Sequence, residues 1–286
     1  MQRYLEALWR KPPSHRSVRQ LFLADTRARD EESNSREYGN QVRAAYHSIM
    51  LIAAPTLKTL TVMLPLSIDT VLPPTANLHS LENLTAPGDF DRVYENTVPQ
   101  ICALPRLRRL HLNRFDRTIF FIPVGSRGMD ERGNLLWLIS RAAPDLAWLR
   151  IDSVQQDHQL RHDLERMSYE EQPNQTSGSL DGHQPLPSGL RCVIVEPLAY
   201  KSEGFCGTGA LSHGEMIYGL QDLAAQQLAS GQLPEIVLLP DRPYPVYTVE
   251  HAARDWMEVV NGGDGSWRRD SEPESVSRQG KMFGWR

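Results

Sequence analysis

The sequence predicts an α/β fold in which short parallel strands form one layer and helices pack on the other side. Three observations predict it. An apolar template, Leu-x-x-Leu-x-Leu in its fullest form, recurs along the chain. Most copies follow a stretch whose apolar residues lie three and four apart, the spacing of one helix face. A proline usually stands between the two, and it closes the helix: it lacks the amide hydrogen that the next turn needs and disfavours helical geometry in the residue before it.

Taken in order, the elements begin with Tyr4, Leu5, Leu8 and Trp9 at helical spacing, followed by the first copy of the template, Val18-Leu21-Leu23. Val42 to Ala53 reads as a helix through Val42, Ala45, Tyr46, Ile49 and Ile52, and Leu57-Leu60-Val62 follows Pro55 as a strand. A weaker copy, Leu78-Leu81, has Asn83 in its third position. Val93 to Leu104 predicts a helix ahead of Pro105 and Leu107-Leu110-Leu112. Leu135 to Ala142 predicts another, ahead of Pro144 and Leu146-Leu149-Ile151. Leu190-Val193-Val195 follows Pro187, and Met216 to Ala229 reads as a helix through Ile217, Leu220, Leu223, Ala224 and Leu228. A second weak copy, Ile236-Leu239, follows Pro234, and Val249 to Val260 is the last helix.

A unit of one helix and one short strand cannot bury its own apolar face, so successive units must stack. The expected architecture is an irregular leucine-rich-repeat-like solenoid, a parallel sheet with helices on its other face. The copies are spaced 39, 21, 29, 39, 44 and 46 residues apart, against about 20 to 29 in the regular repeat, so an uneven arc with inserted loops is expected. A doubly wound sheet also alternates helices and strands, but its strands are covered on both faces and read as continuous apolar runs. Here the variable positions are mostly polar, as in Leu107-Arg108-Arg109-Leu110-His111-Leu112. One sheet face is therefore expected to be wet. The repeat domain is expected over 1–260, with a polar and mobile insertion at 155–189 and a disordered tail at 261–286. The apolar run Ile119-Phe120-Phe121-Ile122-Pro123-Val124 fits no unit.

Of 286 residues, 31 are Lys or Arg and 35 are Asp or Glu, for a formal charge of −4. Binding to nucleic acid phosphates needs a clear cationic excess, so a general nucleic-acid partner is not expected. No window holds the roughly 18 apolar residues that cross a bilayer, and the first twenty lack a signal-peptide core. A cytoplasmic or nuclear protein is expected, with no membrane partner. The basic amino end (Arg3, Arg10, Lys11, Arg16, Arg19 against Glu6) leaves a transit peptide as the alternative. Cys102, Cys192 and Cys206, odd in number and widely spaced, suit neither a disulfide framework nor a paired-cysteine zinc site. No cofactor is implied.

The Pro-x-Leu-x-x-Leu-x-Leu units, the opening YLEALWRKPPSHRSVRQLFLAD and the closing ARDWMEVVNGGDGSW together resemble the F-box and leucine-rich-repeat-like proteins of basidiomycete fungi. The resemblance covers most of the chain. It implies a substrate-recognition arm related to SCF-type ubiquitin ligase receptors, with the SCF adaptor as a candidate partner. A Leu-Pro-x-Glu-Leu-Leu-type F-box opening is not recognisable in the sequence.

If the units stack as repeats, the residues between the inward leucines point to the other sheet face. These are Gln20 and Phe22, Thr59 and Thr61, Arg109 and His111, Trp148 and Arg150, and Cys192 and Ile194. Adjacent strands would set Arg109, His111, Trp148 and Arg150 side by side. Arg and Trp dominate interface hot spots, so these four are the expected partner-binding residues of a non-enzymatic interaction module. The alternative is a small hydrolase or transferase with Cys206 as nucleophile in Gly204-Phe205-Cys206-Gly207-Thr208-Gly209 and His213 as base, since a thiolate forms at neutral pH only beside a basic or cationic group. His158 and His162, four apart, could face one metal from a helix, but the zincin motif needs Glu where Gln159 stands. Asn83-Leu84-Thr85 and Asn174-Gln175-Thr176 match the glycosylation pattern without the secretory signal that would give it meaning.

Overall fold

Alternation along each strand decides the architecture, because successive side chains leave a strand on opposite faces. In the computed structural model, which describes residues 6–7, 10, 12, 17–25, 36–88, 101–113, 135–154, 160, 164, 187, 189–199, 208–231, 234–242 and 247–267, the copies of the template form seven strands. They are β1 (Gln20–Ala24), β2 (Thr59–Met63), β3 (Asn83–Pro87), β4 (Arg109–Asn113), β5 (Trp148–Val154), β6 (Cys192–Pro197) and β7 (Glu235–Leu238). All six pairings are parallel, and the strands lie side by side in chain order.

The register is that of the template. Leu21, Leu60, Leu84, Leu110, Leu149, Val193 and Ile236 are aligned across the sheet; two residues on, Leu23 pairs with Val62, and Ala86, Leu112, Ile151, Val195 and Leu238 are aligned with one another. Every member of both ladders except Leu238 is buried. A third apolar row, Val18, Leu57, Leu81, Leu107, Leu146 and Leu190, precedes the strands and is buried too. Two of the predicted copies are corrected by this register. The third unit uses Leu81, Leu84 and Ala86, so that weak copy was placed three residues early; the last aligns Ile236 with Val193, the second template position, so that one was placed three residues late. With that correction Leu60 to Leu84 is 24 residues and Leu84 to Leu110 is 26, inside the regular range of about 20 to 29.

The strands β2 to β6 are entered in the same way. The amide of Leu57 donates to Ala54 O, that of Leu107 to Leu104 O and that of Leu146 to Ala143 O. Pro55, Pro105 and Pro144 thus sit second in a four-residue turn, where proline's fixed φ is already suitable. Leu81 makes the same bond to Leu78 O without a proline, and Leu190 makes it to Pro187 O. One carbonyl of the previous unit then accepts two successive amides: Arg19 O from Lys58 and Thr59, Lys58 O from Glu82 and Asn83, and Glu82 O from Arg108 and Arg109. Arg108 O does so from Ala147 and Trp148, and Ala147 O from Arg191 and Cys192. The units are equivalent at their strands although their lengths differ.

The helices are α1 (Arg36–Ala53), α2 (Ile68–Val71), α3 (Leu135–Ala142), α4 (Thr208–Ser230) and α5 (Val249–Val260). On α1, Val42, Tyr46, Ile49, Met50 and Ala53 join one core with the strand ladders, as do Ile139 of α3 and Met216, Leu220 and Leu223 of α4. Tyr46 donates its hydroxyl to Val71 O at 2.8 Å, and burial raises its pKa. Of the expected helix from Val93 to Leu104, Ile101 to Leu104 is irregular chain and the rest lies outside the described residues. Within the expected polar insertion, Leu160 and Leu164 are helical and fully buried in the main core, which anchors that segment at two points. The run from Ile119 to Val124 and the helix expected at Tyr4 to Trp9 fall largely or wholly outside the described residues. No helix among the described residues is long and apolar enough to cross a membrane.

Helix α5 is the exception in placement. Its N-terminus is closed by Thr248, whose hydroxyl accepts from the His251 amide while His251 accepts from the Thr248 amide. It packs with Phe22, Ala24 and Met63 on the sheet face opposite the other helices. The ladder, and not the surface of the helices, should carry the stability. Leu110→Ala, at a site 1 % exposed, is expected to cost about 2 to 5 kcal/mol in urea unfolding. Leu51→Ala, at a site 82 % exposed, should stay within about 0.5 kcal/mol; equal losses would contradict the layer assignment.

Candidate functional site

The pleat that buries the ladders sends their neighbours to the other face. Register pairs Arg109 with Trp148 and His111 with Arg150, so the four expected partner-binding residues do come together. They are not on a wet surface. His111 is fully buried and Arg150 is 8 % exposed, while Arg109 and Trp148 are partly covered. What covers them is the chain after α5, which sequence reading assigned to a disordered tail from 261. Residues 261–267 are folded onto the sheet, with Gly265–Trp267 as a short 3-10 helix whose three residues are all buried.

The contacts are specific. Arg150 donates from Nη1 to Ser266 O. The His111 ring lies 4.5 Å from Tyr247 and 6.4 Å from Trp267, both edge-on. Trp267 also meets Trp148 at 6.5 Å, and Asp264 approaches Arg109 at 3.6 Å. Further along, Trp256 of α5 stacks at a tilt on Phe22, 5.8 Å away. The backbone permits this path through Gly265, whose φ is +58°. A Cβ there would lie 2.7 Å from Asp255 O and 2.8 Å from Val259 Cγ2, and positive φ is costly for any other residue.

Beneath the cover, three charged groups that sequence reading missed complete a buried network. Arg150 Nε donates to Asp152 Oδ1 at 2.8 Å, and Nη2 donates to Glu196 Oε2. His111 Nε2 is 2.5 Å from Asp152 Oδ2; an ionised carboxylate only accepts, so Nε2 carries the hydrogen. Arg242 Nε stands 2.8 Å from Glu196 Oε1, an ion pair without hydrogen-bond alignment. A signal for two of these residues was present. Asp152 and Glu196 follow Arg150 and Ile194 by two, so alternation puts them on the same face, and the three-position template stopped one step short.

Burial works against every charge here, and the network decides which survive. On Asp152 burial raises the pKa, but the Arg150 and His111 charges and their hydrogen bonds prevail and hold it well below the usual carboxylate range. On Glu196 burial and the Asp152 charge prevail over Arg150 and Arg242, and its pKa is pushed up to about 7. Burial, with the neighbouring Asp255 carboxylate, raises Tyr247, whose hydroxyl donates to Asp255 at 2.9 Å.

Comparison with protein-family models, curated proteins and solved structures finds no match. Cys206, His158 and His162 lie outside the described residues. His213 is buried in α4, 4.0 Å from Asp241, so the expected nucleophile and base are not assembled by anything described. No group of metal-ligating side chains is present among the described residues. Asn83, from one of the two glycosylation patterns, is the first residue of β3. Cys102 and Cys192 are buried thiols, and burial pushes Cys102 up to about 12.

The network sets a pH dependence. Folded Glu196 keeps its proton up to about pH 7, whereas the unfolded chain releases it near 4.5. The folded state thus binds more protons in that window, and stability falls as pH rises through it. Asp152 acts in the opposite sense, and its contribution is lost as pH falls below about 4. Glu196→Gln should remove the decline between about pH 4.5 and 7, on the order of 1 to 3 kcal/mol. Urea midpoints across that range would show it, and parallel pH profiles for the two proteins would remove Glu196 as the cause.

Proposed function

We propose that the chain is a non-enzymatic protein-interaction module, an irregular leucine-rich-repeat-like solenoid that engages its partner through the sheet face. One observation carries the reading: seven parallel strands follow one another in chain order, and the same apolar rows are carried from strand to strand. Such a sheet grows by repetition and offers a long surface. The hydrolase or transferase alternative would be favoured by a reversal of strand order, since α/β sheets hold their ligands in the crevice at that point. The order here does not reverse, so no observation favours it. Arg109 and Trp148, at the accessible margin of the buried network, supply the residue types that anchor protein interfaces.

The resemblance to basidiomycete F-box and leucine-rich-repeat-like proteins extends the proposal to a substrate-recognition arm related to SCF-type receptors, acting in the cytoplasm or nucleus. The decisive experiment is capture by the tagged full chain from a basidiomycete extract. Stoichiometric recovery of the SCF adaptor with a further protein is the expected result for a ligase arm. Recovery of a partner without the adaptor would remove the ligase role and keep the module; recovery of nothing above controls would remove both. Arg109→Glu with Trp148→Ala should lower partner capture at least about tenfold, the size of loss typical for central interface residues.

A further inference from the structure

We propose that the sheet face from β2 to β5 is a polypeptide-receiving surface. Its resident occupant is the chain's own 247–267 segment, and the partner it fits presents a tryptophan three residues after an acidic one, with the main-chain carbonyl before the tryptophan free to accept. The inference rests on the interaction-module reading and adds the surface and the chemistry of the partner.

The two faces of the same strands differ in a way that permanent cover would not require. The ladder face is wholly apolar. On the other face Thr59, Thr61, His111, Asn113, Arg150 and Asp152 are buried, beside the apolar Met63. Sheets meant to stay closed on both sides use apolar residues on both, because buried polar groups must be matched one by one. This face carries donors and acceptors arranged for a polar ligand, and the resident segment shows which ligand. Arg150 takes a carbonyl, that of Ser266; Trp148 and His111 meet an indole in T-shaped contact, that of Trp267; Arg109 takes a carboxylate, that of Asp264.

The seal is also incomplete. Between β2, β3 and α5 lies a gap of about 20 Å³ lined by Thr59, Thr61, Thr85, Tyr247 and Trp256, room for roughly one water. The buried Nε1 of Trp256 and Nδ1 of His111 have no hydrogen-bond partner among the described residues, and in α5 only Ala252 is fully buried. The Asp264 side chain is 72 % exposed. A competing segment can therefore start at Arg109, from the open margin, and displace the resident inward.

Gly265 offers a way to loosen the occupant without touching the receiving face, since Gly265→Ala would collide with Asp255 O. The test uses full-length wild-type and Gly265→Ala chains with a fluorescent synthetic peptide of residues 247–267 as the probe. Hydrogen exchange of the segment and of β2 to β5 is followed in parallel. The expected result is faster exchange in the segment alone, peptide binding by the variant at least tenfold tighter than by wild type, and at least a tenfold loss when the peptide carries Trp267→Ala.

An exposed face that still refuses the peptide overturns the proposal. So does loss of protection in β2 to β5 together with the segment, which would make the segment part of the core; full-length Trp267→Ala repeats the test should Gly265→Ala not fold. Concentration-dependent dimerisation of the variant would assign the face to a second copy and overturn the separate partner. An extract partner captured equally by wild type and variant would leave the interaction module standing and remove this surface from it.

Discussion

Everything in this fold depends on strand register. In a parallel sheet a slip of one residue turns every side chain to the opposite face, and here both faces carry groups that could not tolerate it. A shifted β5 would drive Arg150 and Asp152 into the leucine core and bring Leu149 and Ile151 under Trp267. The recurrent entry turn guards against this, because the carbonyl that accepts two successive amides fixes where each strand begins. The long and uneven connections are then free to vary, since closing a longer loop adds little entropy.

Correct register on the ladder face forces a polar problem on the other. A guanidinium and two carboxylates leave water at β5 and β6, and attraction between them offsets a desolvation cost of several kcal/mol per ion only when the geometry is good. Arg150 provides that geometry by reaching Asp152, Glu196 and the Ser266 carbonyl at once. Hydrophobic residues of the same volume would commonly stabilise such a site as well or better. The network is thus better understood as a means of specifying what docks on the face than as a source of stability, and the 247–267 segment meets that specification through a carbonyl and an indole.

The strands and most helices were legible in the sequence because they obey a period. Leu-x-x-Leu-x-Leu reports a buried ladder wherever all three positions are filled, and Leu135 to Ala142 and Val249 to Val260 were bounded correctly by their 3.6-residue spacing. The two weak copies were misplaced because Leu78 and Leu239 imitate ladder positions while serving a turn and the opposite face. The patch Arg109, His111, Trp148 and Arg150 was found as a set because alternation is local. Its burial was not, because the cover comes from more than a hundred residues away, and Gly262, Gly263 and Gly265 among charges have the composition of a loose tail.

That misreading has a physical lesson. A segment of low apolar content is expected to stay disordered when it cannot bury enough of its own surface. This one is ordered up to Trp267 by a face that already holds matching polar groups, with one indole and one positive-φ glycine making the fit possible. The sheet must be formed before the segment can find its partners, since Arg150, His111 and Trp148 are aligned only by the pairing of β4 with β5. Docking of the cover then follows formation of the sheet, and it is held by the apolar cluster under α5 together with a few polar and aromatic contacts. The ladder is continuous and apolar from β1 to β7 and packs on the face away from the cover. On the proposal made above, a fold built in that order would keep its receiving face intact when the resident segment leaves it.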